Sequence, residues 1–206
     1  MRRVCVVVVS LALLLAGRLA VAGAGFDHYL LALSWTPAWC HFEGADRGDA
    51  RCAPGAGTGW LVHGLWPQHA RGWPEYCTTA APDPSRRQTA AMADIMGSAG
   101  LAWHQWRKHG RCSGLNAEAY FAMTRAAQAR VTLPPPDRPV TTAEDLVAAI
   151  LAVNPGLGSE DLVVTCREGR LTEVRICLSP WLAPRPCAPD VGARACGGPL
   201  EVVARP

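Results

Sequence analysis

Histidine is concentrated in two short segments of the chain, His63-Gly-Leu-Trp-Pro-Gln68 and His104-Gln-Trp-Arg-Lys-His109. Imidazole titrates near neutral pH, so it is well suited to give or take a proton under ordinary conditions. The second segment also contains Lys108, the only lysine in the sequence. These two segments are therefore the first place to look for acid–base chemistry.

A helix over residues 101–109 would place the polar side chains of the second segment on one side. With His104 at zero and about 100° per residue, Lys108, Gln105 and His109 fall at roughly 40°, 100° and 140°. One helix would thus present two imidazoles, an ammonium group and an amide to a single cleft.

These groups match the needs of metal-free RNA cleavage. RNA carries its own nucleophile, the 2′-hydroxyl, so a base must take its proton and an acid must protonate the departing 5′-oxygen. A cation must also stabilise the charge that builds on the phosphate oxygens in the transition state. His63 on a strand and His109 on a helix could face each other across a phosphate, with Lys108 as the cation.

A metal-dependent hydrolase with His63, His104 and His109 as ligands is the alternative. Zinc-binding helices of the H-E-x-x-H type place their histidines at i and i+4. Here the spacing is i and i+5, and no carboxylate lies inside the segment. We therefore expect no metal and no other cofactor.

Residues 1–24 are typical of a secretory signal. A basic start at Arg2 and Arg3 precedes a short apolar run and several small residues. An uncleaved anchor is the alternative, but the apolar run is short for a bilayer. We expect the signal to be removed, which leaves a secreted or periplasmic monomer without a membrane anchor. Without Arg2, Arg3 and Arg18, 17 basic side chains balance 17 acidic ones, so net charge does not argue for a nucleic-acid partner.

Eight cysteines remain when Cys5 leaves with the signal. An even number behind a signal indicates a disulfide framework in an oxidising compartment. No C-x-x-C pair occurs, which argues against a zinc site. Spacing alone leaves the pairing open. The cysteines are Cys40, Cys52, Cys77, Cys112, Cys166, Cys177, Cys187 and Cys196.

The rest of the pattern predicts one α+β domain, because strands and helices do not alternate regularly. We predict strands at residues 29–35, 60–65, 161–166 and 171–178, and helices at 84–96, 101–109, 116–130 and 142–153. Ser85, Asn116 and either Thr141 or Thr142 are the expected helix caps. The stretch from residue 179 onward is rich in proline, glycine and cysteine, and we expect it to be irregular.

Proline and glycine mark further expected boundaries. Pro67 should end the second strand and Gly110 the second helix. Trp103 and Trp106 should anchor that helix in the core.

The other three histidines are expected to be ordinary. We expect His28, His41 and His69 to be surface or loop residues, although His69 lies close to the first segment.

These segments resemble those of the ribonuclease T2 family. His63-Gly-Leu-Trp-Pro67 is identical to the family's first active-site segment, and Leu31-Ala-Leu-Ser-Trp-Thr-Pro-Ala-Trp-Cys40 resembles its N-terminal strand motif. Trp103-His-Gln-Trp-Arg-Lys-His-Gly-Arg-Cys112 resembles the second active-site segment, usually His-Glu-Trp-x-Lys-His-Gly-Thr-Cys. The resemblance implies a ribonuclease T2-like catalytic domain at residues 25–206, with a central antiparallel sheet, packed helices and disulfides.

The resemblance also implies an activity and roles. The family cuts RNA endonucleolytically with low base specificity, through 2′,3′-cyclic phosphates that it can hydrolyse to 3′-phosphates. His109 would be the general base, His63 the general acid, His104 a phosphate ligand and Lys108 the transition-state cation.

A base pocket is implied as well. Trp66, with Gln68 and Trp73, would bind the base by stacking, which tolerates any base.

Gln105 departs from the family, which usually has glutamate there. An amide has the same shape as a carboxylate but no charge and a different hydrogen-bonding pattern. We expect activity to survive, because His63, His104, Lys108 and His109 are retained. The alternative is a weak or inactive ribonuclease-like protein that binds RNA or another partner.

The resemblance also suggests the disulfide pairs. They would be Cys77–Cys112, Cys166–Cys196 and Cys177–Cys187, which leaves Cys40 with Cys52.

Overall fold

The computed structural model describes residues 25–135 and 142–205. The expected signal at residues 1–24 lies outside the described residues, as does Thr141. No helix within the described residues is long and apolar enough to cross a membrane.

One antiparallel sheet carries the fold, in the order β2-β1-β4-β3. Its two halves are hairpin-like pairs that are far apart in sequence and meet where β1 pairs with β4. The strands are β1 (His28–Trp35), β2 (Trp60–Gln68), β3 (Leu162–Arg167) and β4 (Arg170–Leu178). The α+β class and the central antiparallel sheet are therefore confirmed.

Helices lie on both faces of this sheet: most pack on one face, and Val191 of the last helix packs with Leu30 on the other. They are α1 (Thr36–Trp39), α2 (Arg86–Ala90), α3 (Ala93–Met96), α4 (Ala99–Lys108), α5 (Ala117–Gln128), α6 (Ala143–Val153) and α7 (Pro189–Gly192). The main core lies between the first of these faces and its helices, where Leu31 and Leu65 pair across the strands and Trp106 is fully buried. A smaller cluster around Leu30 and Cys177 lies on the other face.

The helix starts follow their capping residues. Ser85 forms a reciprocal capping box with Gln88, and Asn116 and Thr142 accept hydrogen bonds from the first turns of α5 and α6. These side chains satisfy backbone N–H groups that have no partner inside the helix. The predicted caps are thus confirmed for the described residues.

The single helix predicted at residues 84–96 is wrong, because two short helices meet there. The chain leaves the helix after Ala90, and Met92 takes φ −90° and ψ −5° before α3 begins. Met92 is buried, so its packing into the core accompanies the break. Local helix propensity gave way to tertiary packing.

Strand β2 passes through Pro67, which was expected to end it. Pro67 pairs with Tyr29 and the strand continues to Gln68. Strand β2 is at the edge of the sheet, where a residue without an N–H group can face away from the ladder. The edge position explains why the proline is tolerated.

Two expectations about aromatic side chains were wrong. Trp103 is 37% exposed, so Trp106 rather than Trp103 anchors α4. His28 is not a surface residue: it is only 1% exposed at the start of β1. Burial, followed by the charge of Arg185, lowers the pKa of His28.

Candidate active site

A β-bulge sets the position of His63. Ala32 pairs with Gly64 while Leu33 pairs with Val62, so His63 has no direct partner on β1. Val62 and Leu65 both belong to the main core cluster. Because a bulge inserts one residue into the alternation, it can re-aim a side chain without moving the core residues on either side. The bulge thus turns His63 towards the cleft.

One cleft contains all eight residues expected to act on the substrate. It has a volume of about 180 Å³, many times what a single water molecule needs. Residues that sequence reasoning missed, including Arg175, Asp190 and Arg194, also line it. The expected residues in the cleft are His63, Trp66, Gln68, Trp73, His104, Gln105, Lys108 and His109.

The indole of Trp66 lies between the two segments. It stacks on His109 with a centroid distance of 5.1 Å and makes an edge contact with His63, also at 5.1 Å. Its Nε1 donates a 2.7 Å hydrogen bond to Oε1 of Gln105. Trp66 therefore supports both imidazoles as well as being the residue expected to stack on a base.

Gly64 makes room for this arrangement. A Cβ atom at position 64 would lie 2.3 Å from both Gln105 Oε1 and Trp66 Nε1. The hydrogen bond between the amide and the indole thus passes directly over the glycine. Only a residue without a side chain fits at this point of β2.

His109 caps the C-terminal end of α4 and is 5% exposed. Burial, followed by the positive charges of Lys108, His63 and His104, lowers the pKa of His109 to about 3. Its Nδ1 is enclosed and has no hydrogen-bond partner among the described residues, which leaves Nε2 open to the cleft. This ring is therefore neutral at ordinary pH and able to accept a proton.

His63 has an anionic partner that the sequence did not reveal. Its Nδ1 lies 2.6 Å from Oε1 of Glu173, which also accepts a 3.2 Å hydrogen bond from Ser34. Arg175 donates to the other carboxylate oxygen at 2.9 and 2.8 Å. Burial alone would raise the pKa of Glu173, but its contacts with His63 and Arg175 lower it to about 2.

His104 and Lys108 lie on the more open side of α4. Burial, followed by the charges of Lys108, His63 and Arg107, lowers the pKa of His104. The ammonium group of Lys108 lies 3.5 Å from a carboxylate oxygen of Glu75, and both side chains remain accessible. An entering phosphate could therefore compete with Glu75 for this lysine.

The far end of the cleft contains the expected base-binding residues. Gln68 is buried and donates a 2.9 Å hydrogen bond to the carbonyl of Pro67. Trp73 is 42% exposed, with the guanidinium of Arg194 5.2 Å from its ring centre. Asp190 on α7 accepts a 2.7 Å hydrogen bond from the N–H of Gly72. The C-terminal segment, expected only to be irregular, thus forms one wall of the cleft.

Four disulfides join the pairs that the family resemblance suggested: Cys40–Cys52, Cys77–Cys112, Cys166–Cys196 and Cys177–Cys187. The Cys77–Cys112 bridge ties the loop after β2 to the turn after α4. In the same place the N–H of Tyr76 donates to the carbonyl of Lys108 at 2.8 Å. These links connect the two histidine-bearing segments outside the sheet.

His69 does not line the cleft, and its ring is partly buried beside the loop. It stays outside the set of residues that could touch a substrate there. The arrangement as a whole offers a neutral imidazole, a carboxylate-bound imidazole and an ammonium group around one cavity. Such a set can transfer two protons and stabilise negative charge between them.

Known proteins match the chain in sequence and in structure. The profile of the ribonuclease T2 family matches residues 26–187. A ribonuclease of Aeromonas hydrophila is 42% identical over 98 residues, covering 48% of this chain and 43% of the relative. A probable ribonuclease of Haemophilus influenzae is 34% identical over 113 residues, covering 49% and 42%. The chain thus spans less than half the length of these curated relatives.

Solved structures agree in fold. An RNase-related protein from Calystegia sepium has a TM-score of 0.67 at 19% identity, covering 88% of this chain and 98% of that one. Trichomaglin, described as an S-like ribonuclease, has a TM-score of 0.69 at 21% identity, covering 88% and 99%. At these identities the likeness concerns the fold.

Proposed function

The chain belongs to the ribonuclease T2 family, and we propose that it is an endoribonuclease that cleaves single-stranded RNA without a metal. The observation that carries the proposal is the pair of imidazoles in one cleft, one buried and neutral and the other bonded to a carboxylate. Enzymes that need an acid and a base at the same pH separate them by environment in this way.

In the proposed reaction, Nε2 of His109 takes the proton of the 2′-hydroxyl. The 2′-oxygen then forms a bond to phosphorus, and the bond from phosphorus to the 5′-oxygen breaks. His63 gives its proton to that 5′-oxygen, so the products are a 2′,3′-cyclic phosphate and a 5′-hydroxyl. A second step, in which water opens the ring, yields a 3′-phosphate.

The other cleft residues bind and stabilise the substrate. His104 holds the phosphate, and Lys108 stabilises the negative charge on its oxygens in the transition state. Trp66, Gln68 and Trp73 form the site for the base, with low base specificity because stacking accepts any base. Gln105 supports this function, since it accepts the indole hydrogen bond as a carboxylate would.

The compartment and assembly state belong to the same proposal. Residues 1–24 act as a signal that is removed, and residues 25–206 form a monomeric catalytic domain that is secreted or periplasmic. The four disulfides support an oxidising destination.

The test is digestion of total RNA by the exported, oxidised protein in the presence of EDTA, between about pH 4 and pH 8. We expect 2′,3′-cyclic nucleotides from the unaltered protein and almost none from His63→Ala. Activity that EDTA abolishes would favour the metal-dependent alternative. RNA binding without cleavage would favour the binding-protein alternative, and Gln105→Glu would then test whether the missing carboxylate is the cause.

A further inference from the structure

We propose that Glu173 is a positioning residue that holds His63 in the orientation and tautomer required of the general acid. This inference rests on the proposed function. It starts from the 2.6 Å contact between His63 Nδ1 and Glu173 Oε1, which joins residues 110 positions apart.

The carboxylate determines which ring nitrogen is available. Because Nδ1 is bonded to Glu173, Nε2 of His63 is the atom left for the substrate. A carboxylate accepts hydrogen bonds only, so Nδ1 must carry a proton. When His63 has given up its Nε2 proton, the neutral ring is left with its remaining proton on Nδ1, still bonded to Glu173. No proton moves to Glu173 itself.

Glu173 is itself held firmly. It is 8% exposed, and the two contacts from Arg175 occupy the oxygen that does not face His63. Strand β4 pairs with β1, and β1 pairs with the bulged strand β2, so the sheet fixes the distance between carboxylate and imidazole. A rigid carboxylate orients its partner ring better than a mobile surface side chain would.

The charges around His63 come from every element packed near it. Glu173 is the carboxylate within hydrogen-bond distance of His63 in the described part of the chain, and most of the other charged groups in the cleft are basic. Glu43 lines a neighbouring surface pocket together with His63, but its carboxylate forms an ion pair with Arg47 at 2.6 Å. The other charged or titratable groups in the cleft are His104, Lys108 and His109 from the α4 segment, and Arg175, Asp190 and Arg194 from the C-terminal part.

Substrates that differ in their leaving group separate this role from a structural one. A dinucleotide such as UpA has an alkoxide leaving group that needs a general acid, whereas a uridine 3′-aryl phosphate has a leaving group that departs without one. We expect Glu173→Gln to lower kcat on the dinucleotide by about 10- to 100-fold with little change in KM. On the aryl ester the loss should be slight.

The matched control is Glu43→Gln, which removes one carboxylate from the same face without touching His63. It should leave both substrates nearly unaffected. Glu173→Asp, which keeps the charge, should recover part of the dinucleotide activity.

Three results would overturn the proposal. The first is equal loss on both substrates, which indicates general damage to the structure. The second is a dinucleotide rate for Glu173→Gln that matches Glu43→Gln. The third is a full additional loss when Glu173→Gln is combined with His63→Ala, because a residue that acts through His63 should add little in its absence.

A spectroscopic measurement tests the contact without relying on activity. In the unaltered protein, ¹⁵N NMR of the neutral His63 ring should find the proton on Nδ1. A ring protonated mainly on Nε2 would overturn the positioning role even in an active enzyme. If the protein proves inactive on RNA but His63 carries its proton on Nδ1, the proposed function fails while the His63–Glu173 contact stands.

Discussion

His63 and His109 are the same residue type in two very different surroundings. The sheet side of the cleft gives His63 a carboxylate at 2.6 Å and leaves 37% of its side chain exposed. The helix side encloses His109, gives its Nδ1 no partner among the described residues and places the cation of Lys108 beside it. A carboxylate therefore lies against one ring, whereas burial and nearby cations keep the other ring neutral.

In the proposed reaction, the fold and not the residue type therefore assigns the acid and the base. Burial disfavours charge wherever it is not compensated, as at His109. The partner of His63 is instead the buried and ionised carboxylate of Glu173.

The largest effect is expected from the loss of the base. His109→Ala should lower kcat by about 10²- to 10⁴-fold on both the dinucleotide and the aryl ester, because both need the 2′-hydroxyl to be deprotonated. His63→Ala should show a comparable loss only on the dinucleotide. Steady-state rates of the two variants on the two substrates check the assignment, and the reverse pattern would exchange the roles of the histidines.

Gly64→Ala should displace the indole of Trp66, which contacts both His63 and His109. Its Cβ would overlap the hydrogen bond between Trp66 and Gln105, so Trp66 must shift against both imidazoles. We expect a destabilisation of about 1–3 kcal/mol and a drop in kcat that exceeds the rise in KM. Gly156→Ala is the control, since nothing lies within 4 Å of a Cβ there. Urea denaturation and kinetics measure the two effects, and equal behaviour of the two variants would contradict the argument.

Lowering the pH should destabilise the folded protein through His109 and through Glu173 in two different pH ranges. An unfolded His109 binds a proton below about pH 6.5, whereas the folded one does so only near a pKa of about 3. The free energy of unfolding should therefore fall as pH drops from about 6.5 towards 3, by up to about 1.4 kcal/mol per unit. The stabilisation linked to Glu173 is present above its unfolded pKa and is lost as pH falls towards its folded pKa of about 2.

Urea denaturation at a series of pH values can separate these windows. His109→Asn should flatten the slope above about pH 5 and leave the steeper loss at lower pH. The difference in the free energy of unfolding between the unaltered protein and His109→Asn at pH 8 measures the packing that the substitution loses, which does not depend on protonation. An unchanged slope in the variant would mean that His109 is not held neutral by the fold.

Gln105→Glu should make the two sides more alike by bringing an anion to the helix side. A carboxylate next to the Trp66 indole and close to His109 favours the charged imidazole, so the pKa of His109 should rise. We expect the acid limb of kcat/KM to move to higher pH by about one unit. A pH–rate profile of both proteins on the dinucleotide measures the shift, and a limb that stays in place would show that position 105 is electrostatically remote from His109.

The smallest effect is expected at Glu75, which lies 3.5 Å from Lys108. Exposed ion pairs of this kind contribute about 0.2–1 kcal/mol. Glu75→Gln should lower KM for RNA by about twofold at low salt, and the difference should vanish at high salt. A salt series of KM values tests this, and a rise in KM would mean that Glu75 helps to orient the lysine.

The second histidine segment was predictable because its signal is local. The 3.6-residue period places His104, Gln105, Lys108 and His109 on one side of a helix, and the cleft contains all four. Caps at Ser85 and Asn116 are local signals of the same kind. Helix α4 ends at Lys108, close to the expected stop at Gly110, and a Cβ at Gly110 would also lie 2.6 Å from the ring of Trp106.

The environment of the first segment was not predictable from local pattern. Glu173, which bonds to His63, and Asp190 and Arg194, which line the cleft, belong to distant parts of the chain, and no spacing rule links them to His63. The bulge at His63 is invisible in the sequence, because it depends on how two strands keep Val62 and Leu65 in the core. The burial of His28 escaped prediction for the same reason, since the fold and not the sequence order covers it.

By itself, the sequence determined the α+β class, the helix caps, the family and the side chains that could do chemistry. These follow from residue type and from contacts within a few residues along one element. Only the tertiary structure decided which histidine is held neutral and which one meets a carboxylate. That assignment depends on burial and on charge–charge distances across the sheet, and both arise when residues more than 100 positions apart, such as His63 and Glu173, are brought together.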